Sequence, residues 1–371
     1  MKYSIKGKIL LVFGICLFIF VHIFLSQDVD YAQKTINSTA KSLPEKLTEF
    51  ITIKAVGDMI PGTNYPDYRL PSNPNELFPK SVRQKLQGSD ILFGNFESTL
   101  TNYPTSSKDI NQGQVFAFRS PPKYAQIFAD IKFKVLNIAN NHTMDFTLRG
   151  FQDTKKSINA VGIKVVGEKN QVLYLNVNEV KIAMVGFCFY DYCNSVNDIA
   201  AAKALIAEAK SQAKIVVVSM HVGAEGTNAL HVKNKTEFFY GENRGNSIDF
   251  ARTMIDTGAD LILGHGPHVP RAMEIYKGKL IAYSLGNFLG YRTLSINAET
   301  GYSMILEVKL NPTGDFVSGR VIPVYLDKQG IPHIDKRFQT TTLLRSLIKS
   351  DFPNSLVTIN NQGEILGNSK K

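Results

Sequence analysis

The sequence predicts an α/β domain, and two features of its hydrophobic pattern support this fold class. Short runs of β-branched and apolar residues alternate along the chain with stretches of helical periodicity, which is the order typical of α/β domains. Several of the apolar runs are nearly continuous, as expected for strands that are covered on both faces. We therefore expect helices on one face of a sheet and a second sheet on its other face.

The N-terminal region predicts a membrane anchor. Residues 9–25 carry no charge and one polar side chain, His22, and they follow a leader that contains three lysines. An apolar stretch of this length fits a retained signal anchor better than the shorter core of a cleaved signal peptide, although cleavage stays an alternative. The basic leader favours a cytoplasmic N-terminus, so everything after residue 26 is expected outside the cell on a single-pass anchor.

The composition along the chain predicts four regions. A polar stretch with scattered charges reads as a stalk between the anchor and the domain. The last 40 or so residues look peripheral by composition. The regions are the leader and signal anchor (1–26), the stalk (27–50), the folded domain (51–330) and a peripheral C-terminal segment (331–371).

Strands and helices are predicted in alternation within the folded domain. The predicted strands are residues 51–56, 91–93, 135–139, 163–166, 180–189, 215–220, 261–263 and 280–285. The predicted helices are residues 124–131, 148–160, 198–213 and 247–257. The first helix follows two prolines and the last is closed by Gly258, which are typical start and stop signals. Residues 302–310 and 316–325 alternate apolar and polar side chains and are predicted as antiparallel strands that finish the sheets.

Polar side chains follow five of the predicted strands at the point where each strand ends. Because the carboxyl ends of parallel strands meet at one edge of an α/β sheet, we expect these side chains to lie together. The clusters are Asp58; Asn95 with Glu97; Asn140, Asn141 and His142 with Asp145; His221 with Glu225; and His265 with His268.

The histidines make a metal site the natural hypothesis. Four of the seven histidines of the chain lie in these clusters. Carboxylate, amide and imidazole groups together form the ligand set for Mn, Fe or Zn in hydrolytic sites. The sequence therefore predicts a hydrolase centre with one or two divalent metal ions. Taken singly, Asp58 is equally well explained as a turn residue, and His221 as a hydrogen-bonded core histidine.

Two cysteines, Cys188 and Cys193, lie within the predicted domain. They either close a small loop through a disulfide in an oxidising compartment or remain core thiols, and their spacing alone does not decide between these.

The remaining composition excludes several classes of protein. The chain has 371 residues, of which 44% are hydrophobic and 20% charged, which excludes a disordered or collagen-like chain. The formal net charge is +10, and the positive charges beyond the leader are spread out. This pattern argues against a nucleic-acid-binding arm and leaves room for an anionic polymer or a membrane surface as a neighbour.

Longer motifs around the polar clusters resemble the CapA proteins of poly-γ-glutamate capsule biosynthesis, the PGA_cap family. The resemblance covers about residues 51–310, and the motifs occur in the family's order. The matching stretches are AVGDMIPG from Ala55, GNFESTLT from Gly94, ANNHTMDF from Ala139, MHVGAEG from Met220, GADLILGHGPHV from Gly258 and YSLGNF from Tyr283.

The resemblance implies a fold, a site and a role. The fold would be a four-layer α/β/β/α sandwich like that of the calcineurin-like metallophosphatases, displayed outside the cell on a membrane anchor. His142 would be the general acid that protonates a leaving group. The implied metal ligands are Asp58, Glu97, Asn141, His221, His265 and His268, and the expected supporting residues are Asn95, Asp145, Glu225 and Asn287. The role would be synthesis, export or attachment of capsular poly-γ-glutamate or a related anionic surface polymer, with membrane subunits of a capsule synthase as candidate partners.

The sequence departs from the family pattern at four positions. Ile60 stands where metallophosphatases usually have the histidine of an Asp-x-His motif, and Gly266 stands where family members often have a second histidine. Thr147 replaces a common glycine and Val222 a common tryptophan, and we expect both to be packing changes. The first two departures keep two alternatives open: a non-catalytic polymer-binding accessory subunit of a capsule synthase complex, and a general exported metallophosphoesterase.

Overall fold

A computed structural model describes residues 50–367 of the chain. The predicted leader, anchor and almost all of the stalk lie outside these described residues. Within residues 50–367, no helix is both long enough and apolar enough to cross a membrane.

The described range contains six α-helices and 21 strands. The helices are α1 (Lys80–Leu86), α2 (Ala125–Ile131), α3 (Thr147–Ala160), α4 (Ile199–Gln212), α5 (Ser247–Thr257) and α6 (Gln339–Asp351). The strands are β1 (Ile51–Ile60), β2 (Ile91–Phe96), β3 (Thr99–Leu100), β4 (Arg119–Ser120), β5 (Val135–Asn137), β6 (Lys164–Val166), β7 (Leu173–Val177), β8 (Val180–Cys188), β9 (Asn194–Ser195), β10 (Ile215–His221), β11 (Phe238–Phe239), β12 (Glu242–Asn243), β13 (Leu261–His265), β14 (Met273–Tyr276), β15 (Lys279–Ala282), β16 (Asn287–Gly290), β17 (Tyr302–Leu310), β18 (Phe316–Leu326), β19 (Pro332–Ile334), β20 (Val357–Ile359) and β21 (Glu364–Gly367).

Two large mixed sheets form the centre of the fold. The first runs in the order β20-β21-β18-β17-β1-β2-β5-β6, with β16 beside β1 and β19 beside β18. The second runs in the order β14-β15-β13-β10-β8-β7, with β9 beside β8. The strands β1, β2 and β5 are parallel to one another, as are β8, β10 and β13. The carboxyl ends of these central strands therefore share one edge within each sheet.

The two faces of the first sheet bury different sets of side chains. Ile91 belongs to the core that the first sheet shares with the second, which includes Val217. The next residue, Leu92, belongs to a separate core with Val82 of α1 and Phe128 of α2. This alternation follows from the pleat, which directs successive side chains to opposite faces. Because α4 and α5 pack against the second sheet, helices cover the outer side of both sheets.

The mixed α/β class and the elements predicted from the sequence are confirmed. All eight predicted strands and all four predicted helices of the domain are present, with ends that differ by at most four residues. The two alternating runs after residue 301 form β17 and β18, which pair antiparallel.

The segment after residue 330 differs from the sequence expectation. We expected it to be peripheral, but up to residue 367 it is part of the fold. Strands β20 and β21 extend the first sheet, and Leu344 and Leu347 of α6 are buried in the main core. Residues three apart lie on the same face of a helix, so these leucines form an apolar stripe that composition alone does not reveal.

Candidate metal centre

The predicted polar clusters lie at the ends of central strands from both sheets. In the first sheet, Asp58 of β1 is in register with Asn95 of β2 on one side and with Asn287 of β16 on the other. In the second sheet, His221 of β10 is in register with His265 of β13. All five side chains are buried. The strand register therefore aligns predicted site residues side by side within each sheet.

The carboxylate of Asp58 connects the two groups. Its Oδ1 accepts a hydrogen bond of 2.8 Å from Asn95 Nδ2 and lies 3.3 Å from His265 Nδ1. Its Oδ2 lies 3.2 Å from His268 Nδ1 and accepts a hydrogen bond of 3.3 Å from the backbone N–H of Gly266. One buried carboxylate thus contacts side chains from both sheets.

Asp58, Glu97 and His268 form a group that could hold a metal ion. One potential ligand atom from each of these residues lies within 4.8 Å of the others. His268 Nε2 is 3.6 Å from Glu97 Oε1 and 3.8 Å from Glu225 Oε2. His268 Nδ1 is also 2.9 Å from the side-chain oxygen of Asn287, which fixes the orientation of the imidazole ring.

The hydrogen-bond inventory tests whether these residues fit a metal. Buried polar atoms in proteins nearly always have a hydrogen-bond partner, so the exceptions need an explanation. In the part of the chain that the structure describes, buried atoms without such a partner include both carboxylate oxygens of Glu97, Oδ1 of Asn141, Nε2 of His221 and both ring nitrogens of His265. Carboxylate, amide and imidazole donors suit Mn, Fe or Zn, so the residues present fit a divalent cation.

The pKa values of the cluster follow from burial and mutual charge. Burial raises the pKa of Asp58, but the imidazoles of His265 and His268 outweigh it and hold the pKa well below its usual range. Burial raises the pKa of Glu97 well above its usual range, although His268 opposes this shift. Burial lowers the pKa of His268, but the carboxylates of Glu97, Glu225 and Asp58 outweigh it and raise the pKa to about 10. Protonated His268 therefore supplies the positive charge that a metal ion would bring.

His221 behaves differently from His268. Complete burial lowers the pKa of His221 well below its usual range, although the charge of Asp58 opposes this shift. Its ring is therefore neutral at physiological pH, which is the form that binds metal ions.

His142 and Asp145 form a second, adjoining group. His142 Nδ1 lies 2.8 Å from Asp145 Oδ2, which also accepts a hydrogen bond of 2.7 Å from the backbone N–H of Phe118. Lys108 Nζ lies 2.7 Å from Asp145 Oδ1 and 3.3 Å from His142 Nδ1. Burial lowers the pKa of His142, although Asp145 opposes this shift. Burial raises the pKa of Asp145, but His142 and Lys108 outweigh it and lower the pKa.

A buried network of asparagines joins the two groups. Asn95 Oδ1 accepts hydrogen bonds from Asn137 Nδ2 at 2.9 Å and from Asn140 Nδ2 at 3.1 Å. Asn140 Oδ1 in turn accepts a hydrogen bond of 3.1 Å from the backbone N–H of His142. The turn that carries Asn141 and His142 is thereby connected to Asp58 through Asn95.

The sequence analysis missed three residues of this site. Asn137 had a visible signal, because it is an amide inside the apolar run 135–139. Lys108 and Arg244 lie in segments for which no helix or strand was predicted, and their spacing gives no pattern. Arg244 is buried and contacts Glu225 Oε1 and Glu242 Oε2, each at 2.7 Å.

The structure gives a physical reason for the departure at Gly266. Its φ is +104°, and a Cβ atom at this position would lie 3.0 Å from His221 Nε2. A side chain here would therefore strain the backbone and displace a candidate ligand. At the other departure from a ligand pattern, Ile60 is buried within β1 and in register with Gly290.

The other two departures have different causes. Val222 is completely buried in the main core, consistent with a packing change. Thr147 has a φ of +61°, in the left-handed region that favours glycine. The change at Thr147 therefore concerns the backbone conformation, and the expectation of a packing change is wrong there.

The structure also joins the two cysteines of the domain. Cys188 and Cys193 form a disulfide with a Cα–Cα distance of 6.0 Å. Of the two alternatives that the sequence left open, this is the small loop closed by a disulfide.

The fold and this cluster define a mixed α/β protein with a candidate divalent-metal centre at the carboxyl ends of its central strands. The sequence profile of the family described as bacterial capsule synthesis protein PGA_cap matches residues 52–292. The chain belongs to this family. The matched range contains all the predicted metal ligands.

Individual relatives agree with the family assignment. The chain is 30% identical over 325 residues to the PGA biosynthesis protein CapA of Bacillus subtilis (strain 168), covering 81% of this chain and 78% of that protein. It is 28% identical over 266 residues to the capsule biosynthesis protein CapA of Bacillus anthracis, covering 65% of this chain and 60% of that protein.

A solved structure with a similar fold is that of the 5'-nucleotidase precursor from Thermus thermophilus. The TM-score is 0.43 at 11% identity, and the match covers 81% of this chain and 59% of that one.

Proposed function

We propose that this protein acts in bacterial capsule synthesis, on poly-γ-glutamate or a related anionic surface polymer, through a divalent-metal centre. The family membership and the names of the two Bacillus relatives support the capsule role. The observation that carries the metal centre is the convergence of Asp58, Glu97 and His268 within 4.8 Å. The unpartnered buried atoms of Glu97, Asn141, His221 and His265 support the same centre.

The residues of the chain divide the chemistry between them. Asp58, Glu97 and His268 would hold the cation, with Asn141, His221 and His265 as further ligands. A bound Mn, Fe or Zn ion would polarise a substrate oxygen and lower the pKa of bound water.

His142 would move the proton. Asp145 is ionised because its pKa is lowered, so it accepts the hydrogen bond from Nδ1 of His142. The neutral ring then presents Nε2 as a proton acceptor, and it becomes the general acid only after it has taken up a proton there.

We further propose that the domain lies outside the cell on a single-pass anchor formed by residues 9–25. The apolar length of that segment and its basic leader support the anchor. The disulfide between Cys188 and Cys193 suits an oxidising compartment. Membrane subunits of a capsule synthase would then be within reach as partners.

A second candidate function is that of a non-catalytic accessory subunit that binds polymer in the same cleft. Two observations favour it: Ile60 and Gly266 stand at positions where related metal sites have histidines. Gly266 in particular leaves no room for a side chain beside His221. A general exported metallophosphoesterase is a third alternative, which chelator-sensitive turnover of bis-p-nitrophenyl phosphate would support.

Complementation separates the first two candidates. A strain lacking the gene would receive the wild type, His142→Ala, His221→Ala or the control His333→Ala, which replaces a histidine outside the cluster. The enzyme hypothesis predicts that capsule polymer returns with the wild type and the control only. Full restoration by His142→Ala and His221→Ala, at equal protein levels, would favour the accessory subunit.

A further inference from the structure

The loop between β8 and β9 is a small ring closed by the disulfide. Cys188 and Cys193 are buried, and they form a small apolar cluster with Ala139 of the first sheet's β5 connection. Between them, the rings of Tyr190 and Tyr192 stack with centroids 5.0 Å apart and an interplanar angle of 16°. The ring is therefore a compact unit that packs against the residue directly before Asn140.

On one side the ring contacts the turn that follows β5. The hydroxyl of Tyr192 donates a hydrogen bond of 2.9 Å to the backbone oxygen of Asn140. The other donors to this oxygen come from Thr143 in the same turn, at 2.8 Å from its hydroxyl and 3.3 Å from its backbone N–H. Tyr192 thus links the turn to the second sheet, whereas Thr143 only closes the turn on itself.

On its other side the ring contacts the segment that holds Glu225. The hydroxyl of Tyr190 donates a hydrogen bond to Oε1 of Glu242. Arg244 lies over the ring of Phe189, with its guanidinium carbon 4.2 Å from the ring centroid, and bonds both Glu242 and Glu225. The same ring thus contacts both segments that flank the candidate metal centre.

We propose that the disulfide-closed ring positions the candidate metal centre, with Tyr192 as the positioning residue for the turn that carries Asn141. The turn reaches Asp58 through Asn140 and Asn95, so a displaced turn moves both the Asn141 amide oxygen and the partner of Asp58. This inference rests on the proposed metal centre. Outer partners of metal ligands change metal affinity by about 10- to 100-fold, which sets the size of the expected effect.

Calorimetric titration of the metal-free, full-length protein with Mn²⁺ tests the inference. Tyr192→Phe removes only the hydroxyl and is expected to weaken binding by about tenfold, at the lower end of that range. Cys188→Ser combined with Cys193→Ser opens the ring and is expected to weaken binding further. Tyr174→Phe is the matched control, because the hydroxyl of Tyr174 has no hydrogen-bond partner among the described residues. Its affinity should equal that of the wild type.

Hydrogen exchange of the metal-free proteins gives a second readout that does not depend on the metal. Amide protection of residues 139–145 should fall in Tyr192→Phe and in the double cysteine variant, and it should stay unchanged in Tyr174→Phe. Wild-type affinity together with wild-type protection in Tyr192→Phe would overturn the positioning role and leave the metal centre intact. If the folded wild type binds no Mn²⁺, Fe²⁺ or Zn²⁺, the proposed function fails, and the exchange data alone decide whether the ring orders the turn.

Discussion

Asn95 donates a hydrogen bond of 2.8 Å from its amide nitrogen to Oδ1 of Asp58, across two neighbouring parallel strands. Both side chains are completely buried. The bond leaves Oδ2 of Asp58 directed towards His268, at 3.2 Å. Asn95 therefore orients the carboxylate that connects the two sheets.

Replacing Asn95 should weaken metal binding without removing a ligand. Asn95→Ala leaves Asp58 without its amide donor and frees the amides of Asn137 and Asn140. We expect a loss of Mn²⁺ affinity of about 10- to 100-fold in calorimetric titration. Asn361→Ala, at an exposed asparagine, is the control. Equal affinities for Asn95→Ala and wild type would show that this hydrogen bond does not orient the ligand.

Gly266→Ala should reduce both stability and metal affinity. The new methyl group would lie 3.0 Å from His221 Nε2, on a backbone with φ of +104°. The matched control is Gly278→Ala, where φ is +78° and no atom lies within 4 Å of the added Cβ. Both variants should lose about 1–2 kcal/mol of unfolding free energy from the backbone alone. Only Gly266→Ala should also lose metal affinity, and equal affinities would contradict a ligand role for His221.

Thr147→Gly should stabilise the protein. Thr147 begins α3 with φ of +61°, a conformation that is unfavourable for a β-branched residue by about 1–2 kcal/mol and open to glycine. We expect the free energy of unfolding in urea to rise by about 1 kcal/mol. In contrast, Thr342→Gly, at an exposed position of α6, should lower it by about 1 kcal/mol because glycine is unfavourable in a helix. Loss of stability in both variants would argue against the left-handed conformation at Thr147.

The contribution of Asp145 to stability should disappear in acid. Burial raises its pKa, but His142 and Lys108 outweigh it and hold the pKa below its ordinary value of 3.8. A group with a lowered pKa in the folded state stabilises the fold above its unfolded pKa and loses this effect as the pH falls through its folded pKa. Asp145→Asn should therefore cost about 3 kcal/mol at about pH 5 and less at about pH 3, as measured by urea unfolding of both proteins. A difference that is equal at both pH values would rule out an ionised Asp145.

Much of this site could be predicted because its residues directly follow continuous apolar strands. Asp58, His221 and His265 sit at the ends of such runs, so strand order alone brings them to a common edge. Interactions that depend on long loops could not be predicted in this way. Lys108 reaches His142, and Arg244 reaches Glu225, from segments without a periodic pattern, and only the folded backbone brings these pairs together.

Backbone conformation explains the other differences between sequence and structure. A positive φ at Gly266 or Thr147 is not visible in hydrophobic periodicity, because that pattern reports burial and not dihedral angles. The C-terminal segment has a similar explanation. Leu344 and Leu347 are ordinary helix residues by composition, and their burial depends on the sheet against which α6 packs.

The most direct test of the proposed metal centre is the metal content of the purified full-length protein. Elemental analysis after loading with Mn, Fe or Zn would compare the wild type with Asp58→Ala, His221→Ala, His265→Ala and the control His333→Ala. The shared centre predicts one or more equivalents in the wild type and in His333→Ala, and loss of metal in the other three variants. A folded wild type that holds no metal after loading would contradict the metal centre and leave the polymer-binding accessory role.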